Sequence, residues 1–267
     1  MSRIQKRFDW LKSKNEKALV AFITAGDPDL DSTPELFAAI EEGGADIIEL
    51  GVPFSDPLAD GPVIQAASQR SLKSGTTLKK IIQLVRTIRQ ASQLPIVLMT
   101  SYNPVFVYGQ EAFVLDAVDA GVDGVIVPDL PPEEAEEFDA LAVAKGLDMI
   151  YLLAPTSTPE RIDLIASKSR GFIYYVSLTG VTGVRQSLAQ GVADKVGRIK
   201  QATSLPVLIG FGISGPEQAK AAAECSDGVI VGSALVRMIE ECSQPSERKE
   251  KLSSFVRNVK QALQEDK

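Results

Sequence analysis

The chain has 267 residues, 45% of them hydrophobic and 24% charged, a globular composition long enough for one large α/β domain. Its formal net charge of −7, without a long basic run, argues against a nucleic-acid or anionic-membrane partner, and no apolar run is long enough to span a bilayer. Histidine is absent, which excludes His-ligated zinc, a Ser-His-Asp triad and a Cys-His dyad, and the two cysteines cannot build a structural zinc site.

In chain order, Arg3–Lys14 is amphipathic and reads as an extra helix placed to close the floor of a barrel. Short apolar runs then alternate with longer amphipathic ones. The strands are predicted over Leu19–Thr24, Asp46–Leu50, Pro95–Met99, Gly124–Val127, Asp148–Leu152, Phe172–Val176, Pro206–Gly210 and Gly228–Val231. Helical patterns occupy Pro34–Glu42, Leu78–Ala91, Glu111–Ala120, Glu133–Lys145, Pro159–Ser167, Ala189–Ala202 and Glu217–Glu224, with a last helix over Ser246–Gln264. The strands are apolar on both faces, as parallel strands buried under helices are. Eight of them in strict alternation predict a (β/α)8 TIM barrel, one domain over residues 1–267. An open doubly wound sheet is the alternative, but the Gly-x-Gly-x-x-Gly opening after the first strand is missing. Cys225 and Cys242 lie in helical surroundings and read as ordinary thiols, which, with no signal peptide, fits a reducing cytoplasm.

A barrel places its chemistry at the C-terminal strand ends, here Thr24, Glu49, Thr100, Asp129, Ala154, Ser177, Gly210 and Gly232. No lysine stands among them, which disfavours a Schiff-base aldolase or decarboxylase. Glu49 interrupts the apolar run Ile47-Ile48-Glu49-Leu50. Ionised and unpaired there, it would cost several kcal/mol, so it is expected to be part-protonated and able to exchange protons near neutral pH. A salt-bridged structural glutamate is the competing reading. Asp60, in the same strand-to-helix loop, tips the balance: the two carboxylates are placed to flank one cavity, Glu49 as acid/base and Asp60 as anchor for a polar N–H. Ser55-Asp56-Pro57 is an ordinary turn sequence. The surrounding Pro53-Phe54-Ser55-Asp56-Pro57 combines an apolar ring, two prolines and an acid, a composition suited to a docking surface.

Glycine clusters at Gly180–Gly183, Gly210–Ser214 and Gly232-Ser233 follow the sixth, seventh and eighth strands. Loops at these places bind phosphate through backbone N–H groups, glycine permitting close approach and Ser233 available to cap the next helix. No lysine or arginine adjoins these glycines, so the site is expected to rest on amides and the helix dipole. Leu178–Gln190 reads either as a lid or as a plain surface loop. Phe22, Tyr102, Tyr174, Tyr175 and Phe211 lie at or near strand ends, where aromatics serve as core or enclose a flat apolar ligand.

Phe22–Pro28, Glu49–Pro62, Tyr174–Gly183, Gly210–Ser214 and Val231–Ala234 together resemble the tryptophan synthase α-subunit family over essentially the whole chain. The resemblance implies a lyase that splits indole-3-glycerol phosphate into indole and glyceraldehyde 3-phosphate. It also implies docking on a pyridoxal-phosphate β subunit as an α2β2 tetramer, with no cofactor in this chain. The family's catalytic glutamate falls on Glu49, its indole-holding aspartate on Asp60, and its tyrosine on Tyr174, with Tyr175 one residue away. Phosphate ligands fall on Gly183, Gly212, Gly232 and Ser233, the lid threonine on Thr182, and pocket-lining positions on Phe22 and Phe211. The docking surface would carry Pro53, Asp56 and Pro57. Leu178-Thr179 departs from those members that carry an arginine there. Carbon–carbon cleavage without a strand-end lysine or histidine-bound metal requires the substrate's own ring as electron sink: protonation at indole C3 gives an indolenine that accepts the electrons.

Overall fold

The structure, a computed structural model, describes residues 1–57, 60–176, 186–210 and 212–264, the side chains of 186–190 excepted. Its helices are α1 (Arg3–Lys14), α2 (Thr33–Glu42), α3 (Pro62–Lys73), α4 (Leu78–Arg89), α5 (Tyr102–Tyr108), α6 (Gln110–Ala120), α7 (Glu136–Lys145), α8 (Pro159–Lys168), α9 (Gln186–Ala202), α10 (Pro216–Ala223), α11 (Ser233–Glu241) and α12 (Pro245–Ala262). Its strands are β1 (Ala18–Thr24), β2 (Ile47–Gly51), β3 (Ile96–Met99), β4 (Gly124–Ile126), β5 (Asp148–Met149), β6 (Leu152–Leu153), β7 (Ile173–Val176), β8 (Val207–Gly210) and β9 (Gly228–Val231).

All strand pairs are parallel, in the order β5-β4-β3-β2-β1-β9-β8-β7-β6. The expected fifth strand is thus divided into β5 and β6. At the break, Ile150 N donates to Val125 O on one side (3.0 Å) while Tyr151 O accepts from Tyr174 N on the other (3.2 Å). The two segments are ends of one stave whose ladder passes from one neighbour to the other, which closes the (β/α)8 barrel.

The two-residue period of each strand sorts side chains into two cores. Val20, Ile47, Val97, Ile126, Ile150, Phe172, Leu208 and Ile230 face the axis, and Ile4, Phe8 and Leu11 of α1 pack beneath them. The extra helix is therefore the floor of the barrel, as its amphipathicity predicts, and the Phe8 and Phe172 rings meet there at 6.0 Å. Leu19, Ala21, Ile48, Leu98, Val125, Tyr175, Ile209 and Val229 face outward, into the larger core beneath the helices.

Carboxylates fasten the bottom face. Asp46, Asp123 and Asp227 each precede a strand and accept the amide of a neighbouring strand's residue: Leu19 N (2.7 Å), Ile96 N (2.9 Å) and Val207 N (2.9 Å). Asp46 is also ion-paired to Arg7 of α1 and Lys260 of α12, both at 2.7 Å, so the first and last helices share one buried anchor. At the upper end Arg70 of α3 forms a two-toothed pair with buried Asp27 (2.8 and 2.9 Å), and Ser71 Oγ donates to Ala25 O (2.6 Å). The Phe22–Pro28 stretch is thereby braced against α3.

Candidate active site

β2 points Ile47, Glu49 and Gly51 at the barrel axis and Ile48 and Leu50 at the helices. Glu49 lies level with Phe22 of β1 and Val97 of β3. It is 1% exposed, and neither carboxylate oxygen has a hydrogen-bond partner among the described residues. That removes the salt-bridged reading. Burial, with a smaller contribution from the negative charge of Asp60, pushes its carboxyl up to about 8. Glu49 is therefore mostly protonated at neutral pH.

Asp60 stands at the mouth of the barrel, just before α3. Its N–H donates to Pro57 O (3.2 Å) and its C=O accepts from Gln65 Nε2 (2.8 Å), which fixes the backbone and leaves the half-buried carboxylate facing the opening. Burial raises its pKa as well. Tyr174 of β7 faces inward and Tyr175 outward into the helix-covered core, so the one-residue alternative resolves to Tyr174. The Tyr174 hydroxyl is held well above its ordinary pKa by burial, then by the charges of Glu49 and Asp60. Three acids thus converge on one point.

A cavity of about 550 Å³ opens above them, walled at one end by Phe22, Asp60, Ile64, Met99 and Tyr174 and at the other by Gly212, Ser214, Gly232, Ser233 and Arg237. Glu49 lies behind this wall rather than in it. A smaller cavity of about 150 Å³ shares Phe22 and Asp60 and runs under the loop, against Thr24, Phe54, Asp56, Pro57 and Asp129. Thr24 Oγ1 is buried there with no hydrogen-bond partner among the described residues.

The far end of the larger cavity is a helix N-terminus. Gly232 occupies the N-cap of α11 and Ser233 is the first helical residue, without a side-chain cap bond, so the expectation that Ser233 caps this helix is corrected. The ladder begins with Val236 N to Gly232 O (3.1 Å), which leaves the amides of Ser233, Ala234 and Leu235 without an intrahelical acceptor. Gly212 has φ +76°, a conformation glycine adopts without strain, whereas Ser214 N is occupied by Gln218 Oε1 (2.5 Å).

No basic residue adjoins the glycines in sequence, yet Arg237 borders the same cavity. Its signal is the four-residue step from Ser233, which shares a helix face only once α11 is recognised. In the Pro53–Pro57 loop, Pro53 is buried and Phe54 and Pro57 are half-buried, so the exposed tip is Ser55 and Asp56 rather than a Phe-Pro cluster. Val52 N bonded to Met99 O (2.8 Å) holds the start of that loop down. Tyr102 packs outside the barrel against Phe106. Thr182, Gly183, Phe211, Leu178-Thr179 and the lid reading of Leu178–Gln190 lie outside the described residues, save that Gln186–Gln190 begin α9.

The family model described as Tryptophan synthase alpha chain matches residues 8–264. Curated relatives of that name include one from Geotalea uraniireducens, 57% identical over 97% of each chain, and one from Geotalea daltonii, 55% identical over 98% of this chain and 99% of its own. Among solved structures, tryptophan synthase subunit alpha from Legionella pneumophila superposes with a TM-score of 0.91 at 38% identity, covering 99% of both chains. A chain of M. tuberculosis tryptophan synthase in its aminoacrylate-bound form gives 0.88 at 36% identity, covering 98% of this chain and 100% of that one. On the family match and on relatives more than half identical over nearly their whole length, the chain belongs to the tryptophan synthase alpha chain family.

Proposed function

We propose that the chain is a lyase that cleaves indole-3-glycerol phosphate to indole and glyceraldehyde 3-phosphate, as the α subunit of a cytoplasmic α2β2 tryptophan synthase and as one barrel domain over its whole length. The observation that carries this reading is a buried glutamate with two oxygens unpartnered among the described residues, beside a cavity whose far end is an open helix N-terminus.

The indole ring fits the apolar end, between Phe22, Ile64, Met99 and Tyr174, with its N–H donating to Asp60. Protonated Glu49 gives its proton to ring C3, and Asp60 stabilises the positive charge that forms at the ring nitrogen. The Glu49 carboxylate then takes the proton of the hydroxyl on the adjoining carbon. That carbon becomes an aldehyde, the C–C bond breaks, and its electron pair returns to the ring as indole. Atoms and protons balance with no group borrowed from outside. Tyr174, fixed beside Glu49, orients the ring. The phosphate rests on the amides of Gly212, Gly232 and Ser233; the family resemblance adds Gly183 as a further phosphate ligand, Thr182 as the lid threonine and Phe211 as a pocket-lining residue, all outside the described residues.

Pyridoxal phosphate belongs to the partner β subunit, which consumes the indole. The exposed tip Ser55–Asp56, with Pro53 and Pro57 as its supports, is the contact through which that partner reaches the loop joining Glu49 to Asp60. No helix among the described residues is long and apolar enough to cross a membrane, and the thiols of Cys225 and Cys242 are free. The test is release of indole from indole-3-glycerol phosphate by the pure chain, with and without added β subunit. Indole release in either case supports the reading; substrate bound but never cleaved would make the barrel a binding protein.

A further inference from the structure

A dianionic phosphate entering this cavity meets an adverse field. The chain carries a formal net charge of −7, and the cavity wall already holds the acids Asp60 and Glu241. The free amides at the start of α11 offer a partial charge of about +0.5. Among the described residues of the cavity wall, one cation is present, Arg237.

Three features place that charge at the anion's position. Arg237 lies one turn after Ser233 on α11, about 6 Å along the axis, and helical side chains slant back toward the N-terminus. Arg237 therefore shares a wall of the cavity with Gly232 and Ser233. The side chain is exposed, and no described acid is paired with it, although Glu241 borders the cavity one turn further on. Glu240, three residues on and on the same side of α11, is taken up by an ion pair with Arg70 of α3 (2.7 Å), which holds the helix and keeps that acid off Arg237.

We propose that Arg237 is a phosphate-recruiting residue: it supplies the full positive charge that the amides of Gly232 and Ser233 lack, and it acts on substrate binding rather than on bond cleavage. The inference rests on the phosphate site proposed above. An exposed guanidinium is screened by salt, so its contribution is moderate and depends on ionic strength.

The experiment compares wild type, Arg237→Ala and Arg237→Lys, each with β subunit added, at low salt and at about 0.5 M KCl, where the screening length falls to a few ångströms. Arg237→Ala is expected to raise KM for indole-3-glycerol phosphate about tenfold at low salt with kcat within about twofold, the signature of lost binding common to ground and transition states. The inhibition constant of glycerol phosphate should rise by the same factor, the difference should shrink at high salt, and Arg237→Lys should recover most of it. Binding of uncharged indole should not change. A KM and an inhibition constant within about twofold of wild type at low salt would overturn the proposal, as would a fall in kcat alone. If Gly232→Val raises KM while Arg237→Ala does not, the amide site stands and Arg237 falls; if neither does, the phosphate site itself is refuted.

Discussion

The ring of Tyr174 occupies the space that a side chain at Gly210 would need: a Cβ there would stand 2.4 Å from the tyrosine Cε1 and 2.6 Å from its hydroxyl. The bare glycine lets Tyr174 lie across the top of β8 toward Glu49. Gly210→Ala is expected to keep the fold, because the clash is with the end of a side chain that can rotate, at a stability cost of about 1–3 kcal/mol. Cleavage should fall more than about tenfold, because the displaced ring leaves the glutamate. Gly228→Ala is the contrast. Its Cβ would meet the backbone oxygen of Ala18 at 2.4 Å, which cannot turn aside, so a lowered Tm without a specific loss of activity per folded molecule is expected.

The Glu49 carboxyl makes stability depend on pH. Its folded pKa of about 8 lies above the ordinary 4.5, so between those values the folded state holds a proton that the unfolded state has released. Stability contributed by this group is therefore greatest below 4.5, falls by up to about 1.4 kcal/mol per pH unit, and levels off above 8. Glu49→Gln removes the titration. Denaturation from pH 5 to 9 should show the variant's advantage over wild type growing up to about pH 8 and then holding constant; parallel curves would contradict the assigned protonation state.

At Gly232 a Cβ would stand 3.4 Å from Phe22, an ordinary contact, so Gly232→Val tests the ligand rather than the fold. It places methyl groups where the phosphate must approach the α11 amides. KM should rise at least about tenfold, or binding be lost, and inhibition by glycerol phosphate should weaken in parallel. Unchanged inhibition with an unchanged Tm would place the phosphate elsewhere.

Asp56 lies at the exposed tip of the loop that connects Glu49 to Asp60. Contact there can bias closure around Asp60, and couplings of this kind are worth about 1–3 kcal/mol. Cleavage by the pure chain should be slow, should rise about five- to a hundredfold on adding β subunit, and should rise much less for Asp56→Ala. Equal stimulation of both proteins would remove the tip from the coupling.

What was legible in the sequence follows from what leaves a pattern. Strands buried on both faces write continuous apolar runs, and all eight staves stand within a residue or two of their expected positions. Glu49 announced itself by breaking such a run. α3 left no trace because the residues it buries are Ala67, Ser68 and Ser71, too small for an apolar stripe, and α5 buries only Val105. α11 does carry a stripe, Leu235, Val236 and Ile239, but the helix spans only nine residues, too short a run to show from sequence that Arg237 shares a face with Ser233. The break between β5 and β6 depends on which neighbour each amide reaches, which no local pattern encodes.

The most direct test of the central claim is the rate of indole release from indole-3-glycerol phosphate by wild type and Glu49→Gln, each saturated with β subunit. Glutamine keeps the shape and burial but can neither give nor take the proton. With Glu49 acting at both ring C3 and the hydroxyl, a loss of at least ~10³-fold in kcat is expected, with KM little changed and the variant at least as heat-stable as wild type at pH 8. A folded Glu49→Gln protein retaining more than about a tenth of the wild-type rate would contradict the account.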